Sequence, residues 1–258
     1  MNREDSKGEK LVSDFLSNHL YSTDEFYKFI NEQSNNNYKG YKYITNKEDQ
    51  ESGIDVKLLF GNNNLNIDEK SAIHYARANG SELQSFAAEL ATKNKINASG
   101  QLYGWLFNDQ YFNTNYYLFN WIHINKPTNF GTTRKTCDEF WKSNDYKITK
   151  VHSYFIKKSV LQRFVENKLM DKYNSNFKSA KEIVNYLCKN NLPKNKQIIY
   201  PIDKNVHKKW DETVRLQWSR YLSECPLNIV IGKSYLKDIA KFDFTSYIDR
   251  EPSLIKLK

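Results

Sequence analysis

Polar and apolar positions alternate twice between residues 54 and 70. Ile54, Val56, Leu58 and Phe60 alternate with Asp55, Lys57 and Leu59; after Gly-Asn-Asn-Asn, Leu65 and Ile67 alternate with Asn66, Asp68 and Lys70. Period-two runs around a turn predict a β-hairpin. Upstream, Leu11, Val12, Phe15, Leu16 and Leu20 fall at helical spacing behind Ser6, with Glu9 three residues on, so a capped amphipathic helix is predicted over 6–20. A shorter helix is predicted over 22–30, burying Phe26, Phe29 and Ile30 behind Ser-Thr-Asp, and a strand near 41–44. Downstream, SELQSFAAELATK (81–93) places Leu83, Phe86, Ala87 and Leu90 on one helical face, and the aromatic run YYLFNWIHI (116–124) predicts a strand. Beyond Pro127 the pattern predicts helices over 157–173 and 179–189 and a short strand or buried turn at 226–231.

The hairpin carries charge where a core hairpin would not. With Gly61 to Asn64 as the loop, Phe60 faces Leu65, Asp55 falls opposite Lys70, and Lys57 opposite Asp68, all four on one face, with Glu69 on the other. A three-residue loop would bring Glu69 to the Asp55 face instead. Two readings follow. Cross-strand ion pairs on an exposed face explain the charges, at under about 1 kcal/mol each. Alternatively, two adjacent carboxylates repel until a cation lies between them. A hard divalent ion such as Mg²⁺, which takes one or two carboxylates and keeps several waters, is the natural partner.

The order of elements favours the second reading. A helix with Glu9, then Gly53-Ile54-Asp55, then Ile67-Asp68-Glu69-Lys70, then a predicted helix holding Gln84, resembles the PD-(D/E)xK nuclease superfamily over about residues 6 to 125. The resemblance implies an α/β restriction-endonuclease-like fold, a central mixed sheet flanked by helices. It also implies Mg²⁺ held by Asp55 and Asp68, the Glu69 carbonyl as a third ligand, and Lys70 positioning the attacking water. Glu9 matches a helical acid and Gln84 a supporting polar position. Gly-Ile stands where the motif's proline would precede Asp55.

Charge adds a partner. The chain of 258 residues has a net charge of +9. Residues 1 to 130 hold 13 Lys and Arg against 16 Asp and Glu, whereas residues 131 to 258 hold 26 against 14. A basic excess raises the local concentration of polyanions. The expected division is a nuclease core over 1–130 and a mainly helical, basic, DNA-binding elaboration over 131–258, either separate or part of the same globular domain. Arg134, Lys135, Lys208, Lys209, Arg215 and Arg220 are the expected contacts to double-stranded DNA.

Other chemistries find no pattern. The five histidines show no HxH or HExxH spacing, and there is no GxxxxGK[ST], GxGxxG or GxSxG. Three scattered cysteines suggest neither a disulfide framework nor zinc, and no apolar stretch approaches membrane-spanning length. A cytoplasmic, Mg²⁺-dependent endodeoxyribonuclease is expected, of the kind of a homodimeric, sequence-specific type II restriction enzyme. A repair or phage nuclease of the same fold and a non-catalytic DNA-binding protein are the alternatives.

Overall fold

A computed structural model describes residues 3–61, 63–78, 82–92, 103–125, 147–173, 177–189, 198–202, 210–218 and 226–258. The chain forms two compact units, each discontinuous in sequence. One comprises Met1–Leu83, Thr114–Ile156 and Ala240–Lys258, the other Gln84–Asn113 and Lys157–Ile239. A cut at 130/131 falls in 126–146, outside the described residues.

In the first unit, α1 (Arg3–Leu16) runs through a π-helical turn (Ser17–Tyr21) towards α2 (Asp24–Gln33). The Thr23 hydroxyl starts α2 by accepting from the Phe26 amide at 3.2 Å. Next come β1 (Tyr38–Tyr43), α3 (Lys47–Glu51), β2 (Val56–Phe60), β3 (Asn63–Ser71) and the short β4 (Arg77–Ala78). The chain returns in β6 (Tyr116–Ile124), β7 (Ile148–Lys157), β11 (Phe242–Tyr247) and β12 (Ser253–Lys256). These make a sheet of order β1-β2-β3-β6-β7-β11-β12, with β4 also on β6.

The sheet is mixed. β1, β2 and β3 are an antiparallel meander, β3 and β6 run parallel, and β11 is antiparallel to both β7 and β12. One face packs under the N-terminal helices. Val12, Phe15, Leu16, Leu20, Phe26 and Ile30 meet Val56, Leu58, Ile67, Leu118, Ile122, Phe155 and Phe244 in one buried cluster. β6 is buried along its whole length, as a central strand with no solvent face should be.

The second unit holds β5 (Ser85–Thr92), β8 (Ile198–Pro201), β9 (Val214–Trp218) and β10 (Pro226–Gly232), antiparallel in the order β5-β10-β9-β8. With them go α4 (Lys158–Tyr173), α5 (Ala180–Lys189) and α6 (Lys233–Ile239). Two expectations are corrected here. Residues 81–93 do not form a helix: Ser85–Thr92 is a strand on β10, with Ala88 facing Ile229 and Phe86 facing Ile231. Helical spacing and alternation overlap in an Ala-rich run, and the ladder to an apolar partner decides between them. Nor are the residues after 131 mainly helical, since six strands lie among those described.

The hairpin register is also corrected. Phe60 faces Asn63, so the turn is two residues long rather than four, and Val56 faces Ile67. Shortening the turn by two keeps every side chain on its face and exchanges its partner. Lys57 therefore faces Asn66, and continuing the register sets Asp55 against Asp68.

Candidate functional site

Asp55 enters the sheet from a tight approach. Asn46 caps α3 by accepting from the Asp49 amide at 2.8 Å, and the chain then turns at Gly53 with φ +78°. That conformation disfavours any residue with a Cβ. The turn is tied down by the Thr114 hydroxyl, which donates to the Gly53 carbonyl at 2.7 Å. The Asp55 main chain is then held on both sides. Its amide donates to the Ile67 carbonyl at 2.9 Å, and its carbonyl accepts from the Ile44 amide at 2.8 Å.

Asp68 is 2% exposed, in the middle of β3 between β2 and β6. Its Oδ1 accepts from Lys70 Nζ at 2.7 Å, whereas its Oδ2 is buried with no hydrogen-bond partner. The neighbouring carboxyl of Asp55 can serve that oxygen only when one of the two is protonated. Burial pushes the Asp68 carboxyl up to about 8; Lys70 works against the rise and the charge of Asp55 with it. Two carboxyls and an ammonium thus share one face, and one buried oxygen has no donor.

Glu69 points to the helix-covered face. Its carboxylate accepts from Ser13 Oγ of α1 at 2.9 Å, from the Tyr21 hydroxyl at 2.8 Å and from the Tyr43 hydroxyl at 3.3 Å. Its amide donates to Asp55 Oδ2 at 2.7 Å. Burial and the charge of Asp55 raise the Glu69 carboxyl to about 7, while the Ser13, Tyr21 and Tyr43 hydroxyls hold it down. The same surroundings raise the Tyr21 and Tyr43 phenols above their ordinary value. Glu9 is exposed on α1, one turn before Ser13.

No family model matches the chain, and no curated protein or solved structure matches it either. The site therefore has to be judged on its own geometry. The structure brings Asp55, Asp68, Glu69 and Lys70 together. It removes the cross-strand ion pairs: Lys70 pairs along its own strand with Asp68, and Lys57 pairs with Asp49 at 2.9 Å. Gln84 belongs to the other unit, where its carbonyl accepts from the Lys233 amide. Among the described residues, no group of three or more His, Cys, Asp or Glu side chains is arranged to hold a metal ion. A cation here would rest on two side-chain carboxylates.

Of the expected DNA contacts, Arg134, Lys135, Lys208, Lys209 and Arg220 lie outside the described residues. Arg215 is described and turned inward. Its guanidinium donates to Thr213 Oγ1 at 3.1 Å and to Ser85 Oγ at 3.3 Å, and burial brings it down to about 10.

Sequence reasoning missed a second polar cluster in the first unit. Glu82 Oε1 lies 2.8 Å from His123 Nε2 and 3.3 Å from Lys150 Nζ, and Glu82 Oε2 lies 2.9 Å from His152 Nδ1. The other nitrogen of His152 is 2.8 Å from Asp243 Oδ1. A ring with a carboxylate at each nitrogen satisfies both only by donating from both. Burial, with Lys150 and His152 beside it, pushes His123 down to about 3 and keeps it neutral. The signal was the alternation itself, which sets His123 on the face of β6 shared by Trp121 and Phe119. Only the sheet order could join it to His152.

Proposed function

We propose that the protein is a Mg²⁺-dependent endonuclease of the PD-(D/E)xK kind, hydrolysing phosphodiester bonds of double-stranded DNA as a homodimeric, sequence-specific type II restriction enzyme. One observation carries the reading: Asp68 Oδ2 is a buried carboxylate oxygen without a partner, beside Asp55, on a carboxylate whose other oxygen holds Lys70 at 2.7 Å. A buried acceptor left unsatisfied costs about 1–3 kcal/mol, more when charged, so its retention calls for an occupant. The mixed sheet with helices over one face agrees at the coarse level with the expected fold.

The donor set fits Mg²⁺. Asp55, Asp68 and the Glu69 carbonyl would hold it, leaving the rest of its shell to water and phosphate oxygen. When bound, the ion supplies a water of lowered pKa and offsets charge on the phosphate. Lys70, fixed by Asp68, orients the attacking water and neutralises charge growing on the phosphate oxygens. The water oxygen bonds to phosphorus as one bridging P–O bond breaks; the water gives a proton to solvent and the departing alkoxide oxygen takes one from solvent, leaving a phosphomonoester and a hydroxyl. Glu9 is exposed on α1, which packs on the Glu69 face of the sheet, and this reading gives it no part in holding the ion. Gln84 has no part in this reading, because the helix that would have placed it is a strand in the other unit.

Phosphate affinity comes from the second unit. It holds 19 Lys and Arg against 10 Asp and Glu, a net of +9, whereas the first unit holds 20 against 20. Lys208, Lys209 and Arg220 of this unit remain proposed contacts, and Arg134 and Lys135 are added to them from the first unit. The test is incubation of supercoiled plasmid with wild type and Asp68→Asn, in Mg²⁺ or in EDTA. Wild type with Mg²⁺ is expected to nick or linearise the plasmid while the variant and the EDTA arms do not. Cleavage that persists in the variant would place the chemistry elsewhere.

A further inference from the structure

Glu69 is a costly residue at its position. Its neighbours on the helix-covered face, Ile67, Leu118 and Val56, are apolar and fully packed. A leucine there would extend that apolar face, whereas a half-buried carboxylate beside it has lost part of its hydration and makes up the loss with hydrogen bonds from the protein. It is satisfied in full. Three hydroxyls from three separate elements converge on it: Ser13 of α1, Tyr21 of the π-helical turn and Tyr43 of β1. The one Tyr43 hydroxyl proton is shared between the Ser13 carbonyl at 2.8 Å and Glu69 at 3.3 Å, so the strand is tied to the helix and to Glu69 by the same group.

The same residue touches the candidate site from behind. Its amide donates to Asp55 Oδ2 at 2.7 Å, and its chain neighbours are Asp68 and Lys70, which face the other way. Glu69 is thus joined to the elements that frame the site: the start of β2 through Asp55, β3 through its own backbone, and α1, which packs on the opposite face of the sheet, through Ser13. We infer that Glu69 is a positioning residue for the proposed hydrolysis, its side chain locking α1 and β1 to β3 so that its own amide can hold Asp55 beside Asp68. The inference rests on the nuclease reading of the same site. It assigns a task to the Glu69 side chain, which the motif leaves unspecified.

The experiment compares wild type with Glu69→Leu, Glu69→Gln and Tyr43→Phe, each as the full chain. Mg²⁺ affinity is read by calorimetric titration and cleavage by single-turnover reaction on plasmid, with thermal unfolding in EDTA alongside. Groups that orient metal ligands typically change affinity or activity by about 10- to 100-fold when removed. Glu69→Leu is expected to fall in that range while unfolding in EDTA at a temperature no lower than wild type. Glu69→Gln, whose amide oxygen still accepts from both tyrosines, is expected to keep most of the wild-type affinity.

Wild-type Mg²⁺ affinity and cleavage in a folded Glu69→Leu would overturn the inference. So would a uniform loss of thermal stability with affinity unmoved, since that is the mark of a purely structural role. Should Glu69→Leu fail to fold, Tyr43→Phe decides. It deletes one hydroxyl and keeps the ring, and it must lower Mg²⁺ affinity for the inference to stand. A wild-type protein that neither binds Mg²⁺ nor cleaves would remove the nuclease reading itself, an outcome distinct from a variant that behaves as wild type.

Discussion

Replacing Asp68 by asparagine removes a carboxyl whose titration burial shifts upward, and the consequence is measurable without any substrate. The Asp68 carboxyl is raised from an ordinary value of 3.8 to about 8. Between those values the unfolded chain is deprotonated and the folded one keeps its proton. Stability from this group is therefore fully present below the unfolded value and is lost as pH rises through the folded one, at up to about 1.4 kcal/mol per pH unit. Urea unfolding in EDTA from pH 4 to 8 should show wild type losing stability relative to Asp68→Asn, because groups common to both proteins cancel in the comparison. Parallel curves would mean that Asp68 ionises in the fold as it does in the unfolded chain. The histidine of the second cluster acts in the opposite sense. His123 is brought from 6.5 to about 3, so it lowers stability as pH falls below about 6.5, and His123→Asn should flatten that acid limb.

At the level of elements, the alternation of residues 54–70 gave two strands and the correct faces, but not the partners. Faces depend on parity, which survives when a turn is shortened by two; partners depend on the turn length, and GNNN is compatible with several. The approach to Asp55 hangs on Gly53, and Gly53→Ala is expected to cost about 1–2 kcal/mol in stability because of its left-handed backbone. Thermal or urea unfolding measures it. The segment 81–93 read as a helix because Ala, Leu and Glu favour helices and the apolar spacing allowed it; the apolar β10 beside it could not be foreseen from local sequence. An exposed position inside that strand discriminates. Ala87→Thr is expected to be neutral or slightly stabilising in β5, within the span of about 1 kcal/mol of strand preference, whereas a helix would be weakened. The strands at 116–124 and 226–231 and the helices near 157–173 and 179–189 were legible because their apolar runs admit no second period.

For the whole molecule, the chain leaves the first unit at residue 84, returns at 114, leaves again at 157 and returns at 240. Composition by halves caught the basic excess but diluted it, since the second unit collects all of the net +9. Non-specific DNA binding by the Asp68→Asn protein should therefore equal that of wild type in EDTA and fall steeply with salt, with a log–log slope of about 0.9 per phosphate neutralised. A salt-insensitive affinity would count against a polyanion-binding second unit. The candidate site lies within the first unit, and the proposal there is that the oxygen of Asp68 left without a donor takes a divalent cation shared with Asp55. Calorimetric titration of Mg²⁺ into the metal-free protein at pH 8 tests that claim most directly. Wild type is expected to bind, Asp68→Asn and Asp55→Asn to lose binding, and Asp49→Asn and Asp243→Asn, whose carboxylates are engaged with Lys57 and His152, to keep it. Wild-type protein that takes up no Mg²⁺, or an Asp68→Asn protein that takes it up as well as wild type, would contradict that claim.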